Sequence, residues 1–342
     1  LPFLRRLRRA GLAAALLLAA CTSAPEDVRE SRFIMGTLVT FTVSDTPRQQ
    51  ALAAIKAAAD EMQRIQNTFT IYGDTPNAVK AFNHQPPGRP MPLPAEVDAL
   101  LQTSLAIARA SGGAFSPALG APDLLWGFSL PDAPHAPPPA RALTRAMQGA
   151  DWRLLAHTPQ GWVRQHASTQ LDFGGIAKGY AIDRAIAVLR QHGVRHAIVD
   201  AGGDMRLIGS HHGRPWRIGI RHPRRKTTVL GWLEAQGDIA IVTSGDYERF
   251  FIWHGKRWHH ILDPSTGQPA RRAMSATVIA SDATRADAWS TALFVLGAEG
   301  LPLIRQNGMR AVLVDAAGRV HATPDLQGGV SPVAFHPAGE NP

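Results

Sequence analysis

The sequence predicts an α+β fold, with strands and helices in separate runs that do not alternate one by one. Between residues 196 and 243 five short strand-like runs follow one another, at 196–200, 205–209, 216–221, 229–235 and 239–243. Segments with three- and four-residue apolar spacing lie before and after that block. No period of 20 to 50 residues repeats, so a solenoid or propeller is excluded. With 45% apolar and 18% charged residues, the 342-residue chain is globular, and residues 32–335 read as one domain.

Taken in order, the chain opens with Arg5, Arg6, Arg8 and Arg9, then an apolar run from Ala10 to Ala20 that ends in Leu18-Ala19-Ala20-Cys21. This is an export-signal pattern, too short to span a bilayer. It resembles a bacterial lipoprotein signal over residues 1–20, with Cys21 lipidated as the new N-terminus. The alternative is an ordinary signal peptide with a stray cysteine. Thr22 after the cysteine, where Asp is absent, favours the outer membrane over the inner, on the periplasmic face. Residues 21–31 read as a polar tether.

Phe33 to Val43 alternates as a strand, and Arg48 to Gln66 carries Leu52, Ile55, Ala59 and Met62 on one helical face. A second helix spans Pro94 to Ser111 and ends at Gly112-Gly113. Five prolines between residues 129 and 140 mark a surface loop. A third helix runs from Gly179 to His192, and His254-Gly255-Lys256 turns a hairpin between Phe250–Trp253 and Trp258–Leu262. A strand at Ala276–Ala280, helices at 284–296 and 298–306, and a strand pair around Asp315–Gly318 close the chain.

Charge narrows the partners. The formal balance of +9 includes the four leader arginines, which leaves +5 without them. No basic stripe with a reading helix or RNP-type strand accompanies that excess, so nucleic acid is not the partner. An anionic small ligand suits it. One cysteine excludes a disulfide framework or a Cys-based metal site.

Four segments carry chemistry. Leu171-Asp172-Phe173-Gly174-Gly175-Ile176-Ala177-Lys178-Gly179-Tyr180 sets a carboxylate, two glycines and a lysine before a helix. It is either a tight strand-to-helix turn or a place where free N–H groups cradle phosphate. Asp200-Ala201-Gly202-Gly203-Asp204 is a Gly-rich bend in which Asp204 caps a turn more readily than it binds a ligand. Asp287 and Thr291 lie four apart on a helix starting near Thr284, so both oxygens share a face suited to Mg²⁺. A helix-dipole role for the Asp and a back-bonded Thr remains the alternative. His260, in His259-His260-Ile261-Leu262-Asp263-Pro264, is a histidine at a strand end that can act as base or hold a ligand. The pairs His259-His260 and His211-His212 lack two further ligands at zinc-site spacing.

The ordered set resembles the ApbE family, the FAD:protein FMN transferases. It runs through Phe33 to Thr37, Phe69 to Asn83, Gly112 to Phe128, Asp172 to Asp183, Gly202 to Asp204, Thr243 to Tyr247, His260 to Gly267 and Ala286 to Gly297. The resemblance implies Mg²⁺-dependent transfer of FMN from FAD to a threonine hydroxyl of an exported target protein, with AMP leaving. It implies metal binding by Asp287, Thr291 and the Gly175 carbonyl. Met35, Tyr72, Ala114, Phe115, Ser116, Asp172, Lys178 and Ile261 would contact FAD, and His260 with Asp287 would serve catalysis. A periplasmic FAD pyrophosphatase and a non-catalytic flavin-binding lipoprotein are the alternatives. Ser116-Pro117-Ala118 and Asn77 depart from the family pattern, which has Asp and Thr in the first segment and Ser at the second place.

Overall fold

The computed structural model describes residues 26–130, 135–326 and 333–339. The leader, Cys21 and the start of the tether lie outside them, as do residues 131–134 of the proline-rich loop. The chain opens with strands β1 (Val28–Ile34) and β2 (Thr37–Ser44). Helices α1 (Arg48–Phe69), α2 (Ala78–His84), α3 (Ala95–Ala110), α4 (Gly120–Trp126) and α5 (Ala140–Met147) follow, then the small pair β3 (Leu155–Thr158) and β4 (Gly161–Arg164). Helix α6 (Ala177–Gln191) leads into β5 (His196–Ala201), β6 (Asp204–Ile208), β7 (Trp216–Arg221), β8 (Val229–Ala235), β9 (Ile239–Gly245), β10 (Phe250–Trp253) and β11 (Lys256–His259). The last elements are β12 (Ala273–Ala280), α7 (Ala283–Leu296), α8 (Leu301–Gln306), β13 (Arg310–Asp315), β14 (Val320–Ala322) and β15 (Val333–Pro337).

Eight strands form one antiparallel sheet in the order β1-β2-β5-β6-β9-β12-β13-β14. Its two faces are read directly from residue alternation. In β9, Ala240 and Val242 enter a core shared with Ile55 and Met62 of α1, Ile182 and Ile186 of α6, and Trp289 and Leu293 of α7. Ile239 and Ile241 point the other way, into a second core with Trp216, Ile218 and Leu233. The small sheet β15-β8-β7 supplies those last three. The order is therefore a helical layer, the large sheet, then the small sheet.

Among the described residues, two-residue turns with positive φ at both positions join antiparallel neighbours at Met35-Gly36, Gly202-Gly203, His212-Gly213 and His254-Gly255. Such mirror-image turns match the twist of antiparallel strands. The first explains a difference from the sequence reading: residues 28–44 are two strands folded on Met35-Gly36, where a tether and a single strand are expected. A methionine is a weak turn signal, because φ of 55° strains a residue with a Cβ. Its N–H is held by the Gln66 side chain of α1.

Helices α6 and α7 touch backbone to backbone. A Cβ on Gly179 would lie 2.1 Å from the Ala283 carbonyl oxygen, so glycine is required at this crossing. Asp183 of α6 fixes the register by accepting the Ala283 and Thr284 N–H groups at 2.9 and 2.8 Å. Asp282 adds the N-cap, accepting from Arg285 N at 2.8 Å.

Candidate functional site

At the end of the large sheet that carries the Met35-Gly36 and Gly202-Gly203 turns, a cavity of about 270 Å³ opens between the sheet, α6 and α7. Eleven of the residues singled out from sequence line it: Tyr72, Ala114, Phe115, Ser116, Asp172, Gly175, Lys178, His260, Ile261, Asp287 and Thr291. Met35 does not. It packs against the main core, and its neighbours Gly36 and Thr37 reach the cavity instead.

The floor is set by the helix crossing. Because α6 and α7 meet at Gly179, its N–H reaches Asp287 Oδ2 at 2.9 Å. Asp287 is 4% exposed. Burial and the neighbouring Asp204 push its carboxyl up, to about 7, against the pull of the Lys178 ammonium. Asp204 is itself buried, accepts the Thr243 N–H at 2.9 Å and pairs with Lys178 Nζ. Burial alone would lower the Lys178 ammonium, yet Asp204 and Asp287 hold it above its ordinary value.

One expectation is corrected here. Asp204 is not the turn cap; Asp200 is, accepting from Gly203 N at 2.7 Å. At the helix start, the tight-turn reading accounts for most of the N–H groups. Gly174 N is spent on Asp172 Oδ1 at 2.7 Å, Ile176 N and Ala177 N on the Phe173 carbonyl, and Gly179 N on Asp287. That segment is a tight turn that lends the cavity a lysine and a bare glycine backbone.

Gly175 faces the metal-type donors. A Cβ built on it would stand 3.4 Å from Thr291 Oγ1 and 3.2 Å from the Phe115 ring. Thr291 Oγ1 is 3.3 Å from Ser244 Oγ. A carboxylate whose charge is only partly offset and a hydroxyl, beside the bare Gly175 backbone, make an oxygen-donor corner, and such donors suit a hard dication.

The opposite wall differs. Asp123 and Asp172 hydrogen-bond to each other, and burial pushes both carboxyls up, Asp123 well above its ordinary value. Asp123 therefore keeps the proton. Tyr72 is also pushed up, chiefly by burial and then by the neighbouring Asp172 carboxylate. Arg249 lines the cavity and donates to Ser129 Oγ at 2.9 Å. Neither Asp123 nor Arg249 follows from sequence reasoning, since neither sits in a local pattern with a chemical meaning of its own.

His260 lies just past β11, its backbone N–H on the Arg249 carbonyl at 3.1 Å. Its Nδ1 is buried with no hydrogen-bond partner among the described residues. Burial first, then the charges of Arg249, His259 and Lys178, push the imidazole well below its ordinary value. It is neutral near pH 7. Asn77, one of the departures from the family pattern, is an N-cap that accepts from Lys80 N at 2.8 Å. Ser116 accepts from Ala118 N at 3.2 Å and still presents its residue to the cavity.

Residues 35–313 match the profile of the ApbE family. The chain belongs to the ApbE family. It is 34% identical over 316 residues to the FAD:protein FMN transferase of Treponema pallidum, covering 86% of each protein. To the Rhodobacter capsulatus protein of the same name it is 33% identical over 327 residues, 92% of this chain but 61% of that longer relative. The ApbE protein of Thermotoga maritima superposes with a TM-score of 0.79 at 32% identity, over 88% of this chain and 98% of the other. The α+β arrangement expected from sequence is thus the ApbE fold.

Proposed function

We propose that the protein transfers the FMN half of FAD to a threonine hydroxyl of an exported target protein, in a Mg²⁺-dependent reaction that releases AMP. The observation that carries this is one cavity holding both an oxygen-donor corner, at Asp287 and Thr291 beside Gly175, and a neutral histidine with a free buried nitrogen. Mg²⁺ held at that corner would neutralise charge building on the pyrophosphate oxygens. The threonine oxygen forms the new bond to the phosphorus beside FMN while the bond to AMP breaks, and His260 accepts the hydroxyl proton. A neutral imidazole is ready for that proton at pH 7. The Lys178 ammonium, fixed by Asp204, sets positive charge where phosphate must lie. Relatives named FAD:protein FMN transferase support the reading.

For the address, we propose that the chain is exported, lipidated at Cys21 and held on the periplasmic face of the outer membrane, on the strength of the basic, apolar and small-residue pattern of residues 1–21. Cys21→Ser should move the protein to the soluble or unprocessed fraction, and membrane retention after a salt wash would refute the anchor. For the activity, incubation with FAD, Mg²⁺ and a threonine-bearing peptide, followed by mass spectrometry, should show the peptide gaining FMN. Release of free FMN without peptide modification would favour hydrolysis and reject the transferase.

A further inference from the structure

The turn between β6 and β7 carries His211 and His212, and it folds against Asp27, the residue before β1. His211 Nε2 is 2.9 Å from Asp27 Oδ2, and His212 Nε2 is 3.2 Å from Asp27 Oδ1. One ligand atom from each of the three lies within 4.8 Å of the others. None of the three lines the cavity described above. Behind this group, His212 Nδ1 is 2.8 Å from Asp45 Oδ1, Ser44 Oγ donates to Asp27, and the His211 ring stacks on Trp216 at 4.8 Å.

We propose that Asp27, His211 and His212 bind a divalent transition-metal ion of the zinc class, with Asp45 as the outer carboxylate that orients His212. The donor set is two imidazole nitrogens and one carboxylate, which suits zinc and its neighbours and suits Mg²⁺ poorly. The spacing fits as well. Bonds of about 2.0–2.2 Å in a tetrahedron set ligand atoms roughly 3.3–3.6 Å apart, so the separations of 2.9 and 3.2 Å found here would open slightly to admit an ion.

The outer contact is already in place. His212 Nδ1 faces Asp45 and its Nε2 faces Asp27, so an ion that replaces the Nε2 proton would leave Nδ1–H on Asp45, which is the carboxylate–histidine–metal arrangement of many bound sites. Stacking on Trp216 holds the second ring. Charge points the same way. Among the described residues, Asp27 ion-pairs only with the two histidines and Asp45 only with His212, so no lysine or arginine answers either carboxylate. A dication would replace protons now shared among these groups, take a water as fourth ligand, and clip the first strand of the sheet to the β6–β7 turn. Asp27 and His211 are 184 positions apart, so ligand spacing along the chain could not reveal the site.

The test uses the whole protein stripped with EDTA and titrated with Co²⁺ in excess Mg²⁺, which keeps the oxygen-donor corner occupied. Wild type should take up one equivalent with the visible absorption of a four- or five-coordinate ion, released by Zn²⁺. The double variant His211→Ala/His212→Ala should lose that equivalent. Asp45→Asn, which leaves all three ligands in place, should weaken binding by about 10- to 100-fold. It also serves if the double variant fails to fold. FMN transfer in saturating Mg²⁺ should be the same in all three proteins. No Co²⁺ uptake by wild type, or equal uptake and spectra in wild type and the histidine variants, would overturn the proposal. So would an unchanged affinity in Asp45→Asn.

Discussion

Asp204 and Asp287 meet on the cavity floor with the Lys178 ammonium paired to Asp204, whereas Asp123 and Asp172 meet on the opposite wall, where the Arg249 charge acts on Asp172 without an ion pair to either carboxylate among the described residues. Asp204 and Asp287 are buried, Asp123 and Asp172 half-buried, and removal from water pushes up three of the four. They resolve the crowding differently. The floor balances charge with a fixed cation and leaves room for a second one, while the wall keeps a proton on Asp123. A site that must hold a highly charged pyrophosphate and an uncharged ring system needs both solutions, one at each end. The wall offers a hydrogen-bond donor and one charge, and under the proposed function the floor would take the metal.

The largest effect expected from this contrast is at Asp287. Asp287→Ala should abolish Mg²⁺-dependent FMN transfer, because it removes the only charged donor of the oxygen corner, while the Gly179–Ala283 crossing keeps the helices in place. Activity equal to wild type across a Mg²⁺ titration would break the comparison. Next is His260→Ala, expected to slow transfer by about 10²- to 10⁴-fold, as is usual for a general base. The loss should persist at saturating FAD. Full rescue there would make His260 a ligand-positioning residue instead.

Gly179→Ala probes how the floor is built. Its new methyl would meet the Ala283 carbonyl at 2.1 Å and the Asp287 Cβ at 2.8 Å, so the helices must part. Overpacking of this kind costs about 1–3 kcal/mol. Thermal unfolding should show that loss, and transfer should fall with it, since the Gly179 N–H that holds Asp287 moves. A variant of wild-type stability would show that the crossing yields freely.

Which parts of this were legible in the sequence follows from how local each cause is. The strands of the central block and the long helices were readable within a few residues, because period-two and 3.6-residue patterns are local. The Met35-Gly36 turn was not, as it depends on Gln66 from another element. Helices α2, α4 and α5 are seven or eight residues long, too short for a periodic signal. Asp287, Thr291, Lys178 and His260 stood in patterns with chemical meaning, and all line the cavity. Asp123 and Arg249 acquire meaning only through contacts across the fold. Asp204 was misread for the same reason, its partners Lys178 and Thr243 being distant in sequence.

The smallest effect is expected on the wall, and its sign is the informative part. Asp123 has a folded-state pKa well above its ordinary 3.8, chiefly through burial. Between those two values the folded protein holds a proton that the unfolded chain has released. Wild-type stability therefore falls as pH rises through that window. Asp123→Asn supplies the same hydrogen-bond donor to Asp172 without a proton to lose, so it should relieve the penalty. The variant's advantage in Tm should be small near pH 4 and grow as pH rises toward neutrality, by about 2–4 °C for each 1 kcal/mol relieved. Thermal unfolding of both proteins at several pH values measures it. An advantage independent of pH would mean that Asp123 is ionised in the folded state, and the two carboxylate pairs would then be handled alike.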